Sequence, residues 1–310
     1  MTNIDQNYIG CDVSKARLDF FDPARGRHCR IANEAEAMAA FVAGLRPGVD
    51  FIVMEATGSY DRLLRLALSA GGVAFSRHNP QHTHHFSRSA GRRAKTDRLD
   101  AVMLAEYGRL HTPAADAAPD AQRERLQVLA RRRDQLVDIR AREKKHLAEA
   151  FDADVCADIA ALVAVLDARI AALETAIGNA IRQSRELAQD YAILTSAPGV
   201  ATVTALTLIA HMPELGHRSP KTIAALAGLA PIASESGKRS RRSAIAGGRT
   251  RVRRALYMAA LGAIRASARF KAAYDEIAAR AGSKKLAIIA IARKLLVALN
   301  AMKRDQKQFQ

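Results

Sequence analysis

"FIVMEATGSY", residues 51–60, is a run of apolar residues that stops on an acid, Glu55, and turns through Gly58. An apolar run this short, bounded by a turn, is expected to be a buried strand. An unpaired carboxylate in such a strand costs several kcal/mol on burial. Glu55 is therefore expected to sit at a strand end with a reason to be there.

The residues around it repeat the pattern. "YIGCDVSK" (8–15) is read as a short buried strand with Asp12 near its end, and "ARLDFFDP" (16–23) as its hairpin partner, closed by Pro23 and Gly26. Apolar positions at helical spacing follow over 34–45, and a helix is expected over 60–70. "GVAFSRHNP" (72–80) reads as a further strand and 97–110 as a further helix. Strands alternating with helices predict an α/β domain around one central sheet over 1–120.

From about residue 121 the pattern changes. "RERLQVLARRRDQLVDIRAREKKHL" (123–147) is long, charged and helical in composition. Leu162, Leu166, Ile170, Leu173, Ile177 and Ile181 recur at steps of three and four, one apolar stripe on a helix. No proline falls between 120 and 197, so two long helices are expected over 121–190. They form either a hairpin packed on its own chain or a coiled-coil-like dimerisation segment. A mainly α-helical region follows over 191–310. In it, "LTSAPGVATVTALTLIAHM" (194–212) has a Pro-Gly turn between helical segments, like half of a helix-hairpin-helix. Ala201 stands where a second glycine is usual, so a plain helical turn is an equal alternative.

The chain has 310 residues, 48 Lys+Arg against 31 Asp+Glu, and a net charge of +17. Such an excess repels itself unless a polyanion neutralises it, and nucleic acid is the expected partner. No membrane partner is expected, because no basic amphipathic helix or apolar run of spanning length stands out. The N-terminus lacks the charged and apolar regions of a signal peptide. Cys11, Cys29 and Cys156 are too scattered for a disulfide framework or a zinc site. A cytoplasmic, nucleoid-associated protein fits these features.

"KTDRLDA" (95–101) supplies two more acids, Asp97 and Asp100. Three residues apart at a helix start, they share a face near the positive end of the helix dipole. On this pair alone, a capping residue plus a solvated one is the simpler reading. With Asp12 and Glu55 the balance changes. Two acids from strand ends and two from a helix would converge at one edge of the sheet. Such a cluster suits two Mg²⁺ ions about 4 Å apart, which stabilise the attacking and leaving oxygens at a phosphodiester.

Basic residues cluster twice. Residues 236–254 hold Lys238, Arg239, Arg241, Arg242, Arg249, Arg251, Arg253 and Arg254 and no acid. "AGGRTRVRRALY" (246–257) looks like a glycine turn opening a helix, with Arg placed for phosphate contact. "SRSAGRRAK" (87–95) brings Arg92, Arg93 and Lys95 close to the Asp pair. In "HNPQHTHHF" (78–86), His82, His84 and His85 lack standard zinc spacing, and the stretch is expected to be a solvated or nucleic-acid-facing loop.

The order Asp, Glu, Asp-x-x-Asp on an α/β domain resembles the RuvC-type resolvases of the RNase H-like fold. "YIGCDVSK", "EATGSY" and "KTDRLDAVMLAEY" more closely resemble the DEDD insertion-sequence transposases, the IS-one-ten group of bridge-RNA-guided recombinases, with the pilin-gene invertases as relatives. The likeness continues through "APGVATVTALTLIAHMPELG", "LAGLAP", "SESG" and "RRALYMAA". It implies an RNase H-like (RuvC-like) domain over 1–120 whose metal ligands are Asp12, Glu55, Asp97 and Asp100. It implies a dimerisation segment over 121–190 and a transposase domain over 191–310 with Ser236 as nucleophile. It also implies DNA substrates, a structured noncoding guide RNA, and dimers that pair into tetramers, the acids of one subunit meeting the serine of another. From the residues alone Ser236 is a turn residue with Ser234, Ser240 and Ser243 as rivals, and a junction endonuclease without covalent chemistry needs only the acids.

Overall fold

Alternation along two parallel strands organises the first unit. The structure, a computed structural model, describes residues 6–56, 58–89, 96–236 and 239–310, the side chains of 232–243 excepted. The chain divides into two compact units, 1–120 and 121–310.

In the first unit the strands are β1 (Asn7–Val13), β2 (Arg17–Asp22), β3 (Arg27–Ala32), β4 (Asp50–Glu55) and β5 (Ala74–His78). Helix α1 (Ala35–Ala43) precedes β4, α2 (Arg62–Ala70) precedes β5, and α3 (Pro80–Ser89) and α4 (Asp97–His111) follow it. The sheet order is β3-β2-β1-β4-β5, with β1, β4 and β5 parallel and β2 antiparallel to its neighbours. This is the expected mixed α/β arrangement with one strand more, because β3 was not foreseen. Its sequence, RHCRIA, is half polar, and as an edge strand it buries only part of one face.

Successive side chains on a strand face opposite ways. Ile9, Cys11 and Val13 of β1 join Ile52 and Met54 of β4 in a core with Met38, Leu64 and Leu68 from α1 and α2. Tyr8, Phe51 and Val53 face the other way and pack with Met103 and Leu104 of α4. Gly10, Asp12 and Glu55 have the parity of this second set, so both strand acids belong to the α4 face. Gly10 fixes how close α4 lies. A Cβ there would stand 1.9 Å from the carbonyl oxygen of Ala101 and 2.5 Å from the nitrogen of Ala105. From α4 the matching contact is Gly108, where a Cβ would meet Val53 and Tyr8.

The segment 78–86 corrects the sequence reading. It is not a loop: His78 ends β5, and His82, His84 and His85 lie on α3. The Asn79 side chain accepts a hydrogen bond from the Gln81 amide at 2.9 Å, and Pro80 fills the first helical position, where no amide is needed.

The second unit opens with α5 (Ala121–Glu149) and α6 (Ala153–Arg182). Arg133 pairs with Glu174 at 2.8 Å and Arg140 with Asp167, so the helices run antiparallel. Leu166 and Ile170 of the expected stripe pack on Leu136, and Ile177 and Ile181 enter the main core, whereas Leu162 stays 43% exposed. Helices α7 (Arg185–Thr195), α8 (Thr202–His211) and α9 (Pro220–Leu226) follow, then β6 (Pro231–Ser236) and β7 (Arg239–Ile245), then α10 (Thr250–Ala266), α11 (Ala268–Ala281) and α12 (Lys284–Asp305). The β6–β7 ladder is a local strand pair in an otherwise helical unit. Gly199 of the Pro-Gly turn has φ +79°, and a Cβ there would strike the Ala259 carbonyl and the Ala263 amide. Its bareness lets the turn rest on α10 near Gly262.

Replacing Gly10 by Ala therefore forces α4 off β1. An overpacking cost of roughly 1–3 kcal/mol is expected. It is to be measured as a lowered unfolding midpoint; an unchanged midpoint would show that α4 has room to move.

Candidate active site

The four acids are placed by three local rules. Asp12 is the penultimate residue of β1 and Glu55 the last of β4. The parallel register pairs Cys11 with Met54, so one step on Asp12 stands level with Glu55. On α4 the buried positions include Ala101, Leu104, Ala105 and Gly108. Asp97 lies one turn before Ala101 and Asp100 one turn before Leu104, so the stripe that packs on the sheet runs past the strand ends as carboxylates. Thr96, not an aspartate, caps the helix: its side-chain oxygen accepts from the Leu99 amide at 3.3 Å. Neither Asp97 nor Asp100 is needed as the cap.

The carboxylates feel one another. Partial burial pushes the Asp12 carboxyl up to about 6, and the negative charges of Asp100, Asp97, Glu55 and Asp19 add to the rise. Asp19 was missed by the sequence reading. It lies directly across the ladder from Asp12, and Arg30 lies across from Asp19. Arg30 donates to Asp19 at 2.7 Å and stands 3.7 Å from Asp97. The signal was an acid between Leu18 and Phe20 in a strand, of the same kind as Glu55. Thr83 was missed too: fully buried on α3, its hydroxyl donates to Glu55 at 2.6 Å.

The donor set is all oxygen, which suits a hard cation such as Mg²⁺. Among the described residues no group of three or more His, Cys, Asp or Glu side chains is already gathered tightly enough to hold an ion. Thr83 engages Glu55, and Arg30 stands beside Asp97. The mutual repulsion that raises Asp12 is what a cation would relieve, so the residues fit one.

The basic residues divide. Arg92, Arg93, Lys95 and Lys238 lie outside the described residues. Arg239, Arg241 and Arg242 fall on β7, with Arg239 opposite Ser236 and Arg241 opposite Ser234, and their side chains are not described. Ser236 ends β6. Arg249, Arg251 and Arg253 were expected to face phosphate, yet each has internal partners. Arg249 grips Glu214 with two bonds of 2.6 Å and donates to the His211 carbonyl at 2.9 Å. Arg251 pairs with Asp134 at 2.6 Å and donates to the His211 ring at 3.1 Å. Burial first, and the Arg251 and Arg131 charges after it, push that imidazole down to about 4, so it remains a neutral acceptor. Arg253 donates to the Gly247 carbonyl at 2.7 Å. Acids far away in sequence, Glu214 and Asp134, satisfy a stretch that contains none. Arg254 is exposed.

Comparison with known proteins gives the family. A DEDD-type IS110 transposase model matches residues 9–153, and the model of the transposase IS116/IS110/IS902 family matches residues 191–275. The chain is a member of this family of DNA transposases. Its relatives include the pilin gene-inverting proteins of Moraxella bovis and Moraxella lacunata. Each is 27% identical over 325 aligned residues that cover 99% of this chain and 98% of the relative. No helix among the described residues is long and apolar enough to cross a membrane.

Two outcomes are expected. The raised Asp12 carboxyl binds its proton more tightly folded than unfolded, so its penalty sets in as pH climbs from about 4 to 6 and is complete above that. Asp12→Asn should therefore raise the unfolding midpoint of the metal-free protein by a few degrees at pH 8 and not at pH 4. Equal midpoints at both pH values would mean the acids do not repel. In the basic segment, Arg249→Ala should lower the midpoint by several degrees through the stranded Glu214, whereas Arg254→Ala should leave it and flatten the salt dependence of DNA binding by about one unit of slope.

Proposed function

We propose that this chain is a site-specific DNA recombinase that cuts and rejoins strands with a serine nucleophile and Mg²⁺. The observation that carries the reading is the end-on cluster of Asp12, Glu55, Asp97 and Asp100, costly in itself and lodged in a strongly basic chain of a transposase family. The strand order with its antiparallel β2 supports an RNase H-like, RuvC-like fold for residues 1–120. Residues 121–190 serve as the dimerisation segment and 191–310 as the transposase domain.

In this mechanism Asp12, Glu55, Asp97 and Asp100 would hold the cations, counted as a pair from the family likeness. When bound, the ions lower the cost of charge on the attacking and departing oxygens. Thr83 holds the Glu55 carboxylate in one orientation, and Arg30 neutralises Asp19 across the ladder from Asp12. The Ser236 oxygen attacks phosphorus, its proton passes to a water or a neighbouring base, and the bond to the 3′-oxygen breaks as that oxygen is protonated. The 5′-phosphoserine conserves the bond energy, so a 3′-hydroxyl of another strand can reverse the step without ATP. Ser236 rests on the family likeness together with its place at the end of β6. A guide RNA and assembly into dimers and tetramers rest on the same likeness. The inverting relatives favour inversion as one outcome, since inversion and transposition need the same chemistry on differently placed sites.

The test is to express the protein with its native flanking DNA, isolate it under denaturing conditions and sequence any attached DNA. An adduct that vanishes in Ser236→Ala, with Mg²⁺-dependent cleavage lost in Asp97→Ala, is expected. Cleavage that persists in Ser236→Ala with no adduct in either protein would make the chain a resolvase-like nuclease instead.

A further inference from the structure

The second unit has a groove that the chemistry above does not use. It holds about 910 Å³ and runs between α10 and the start of α12, bordered by Pro231 of β6 and by Ala244 and Ile245 of β7. Its floor is apolar, with Tyr257 and Met258 from α10 and Leu286 from α12. Met258 is 63% exposed and Leu286 48%. Such side chains gathered in a concavity mark a binding surface more than a scattered surface residue does.

The rim is cationic. Arg254, Lys285 and Arg293 line it, and no acid occurs among its described lining residues. None of the three has an ion-pair partner among the described residues, in contrast to Arg249 and Arg251. An occupant must bring both negative charge and flat apolar surface. Duplex DNA brings the charge but keeps its base faces stacked inside. An unpaired strand offers phosphates and exposed base faces together, and aromatic floors with basic rims bind it through both.

We propose that this groove holds unpaired bases of the DNA strand undergoing cleavage, with phosphates on Arg254, Lys285 and Arg293 and bases against Tyr257 and Met258. This rests on the recombinase reading for the identity of the nucleic acid. Pro231 at the groove edge is five residues from Ser236 along β6, roughly 16 Å at the usual strand rise. The held bases therefore lie a few nucleotides from the cut. Strand exchange requires bases to leave one partner before meeting another, and the groove gives them a temporary place.

The test measures binding in EDTA, where no cleavage occurs, by anisotropy of a short labelled single strand. The same oligonucleotide with abasic sites, its duplex and its RNA counterpart serve as probes. Met258→Ser with Leu286→Ser should weaken single-strand binding roughly tenfold and leave duplex binding unchanged. Lys285→Gln with Arg293→Gln should reduce the salt slope by about 1.4. Bromouracil-substituted single strands should crosslink to Tyr257 or Met258 in the unaltered protein, a readout that survives even if the variants fail to fold. Equal loss for single strand and duplex, no loss at all, a crosslink elsewhere, or RNA bound tenfold better than DNA would each overturn the proposal. Groove binding that persists in a protein giving no covalent adduct would sink the recombinase reading and leave the groove standing. An adduct with unchanged single-strand affinity in the variants would do the reverse.

Discussion

Gly10 has no side chain, and the backbone of α4 occupies the space where one would be. Much of the first unit depends on that contact. It sets the distance of α4 from β1, and Gly108 answers it from the helix side. With the helix seated so low, the stripe through Ala101, Leu104 and Ala105 packs on the sheet, and its continuation brings Asp97 and Asp100 toward the ends of β1 and β4. The candidate site is thus a by-product of helix–sheet packing carried one turn beyond the last apolar residue.

A cluster of carboxylates is an electrostatic expense in any fold. Here the neighbourhood offsets part of it. Arg30 neutralises Asp19 across the ladder and approaches Asp97, while Thr83 satisfies one oxygen of Glu55. Asp12 is left with the largest unrelieved share, visible in its carboxyl raised to about 6. The partners therefore fall on Glu55, Asp19 and Asp97, and the repulsion falls on Asp12.

The second unit handles its positive charge by division. Arg249, Arg251 and Arg253 are spent on internal partners, tying the start of α10 to Glu214, Asp134 and the Gly247 carbonyl. Those bonds anchor the helix that carries Arg254, Tyr257 and Met258. Charge in one short segment therefore does two jobs, holding the framework in place and presenting a surface, and pairing separates the two.

The sequence by itself determined the elements and their acids. An apolar run ending in Glu55 is a buried strand wherever it sits, and the spacing of Asp97 and Asp100 puts them on one helical face before any contact is known. These are local properties, governed by backbone period and by the cost of burying charge. The half-polar β3 and the helix over 80–89 were not legible, because an edge strand needs no apolar pattern and Asn-Pro serves a turn and a helix cap equally well. Only the tertiary structure decided that Asp19 and Thr83 attend the acids and that three arginines of the basic segment have partners within the unit. The reason is that partners such as Arg30, Glu214 and Asp134 are distant along the chain, and charge pairing depends on distance in space, to which composition and periodicity are blind.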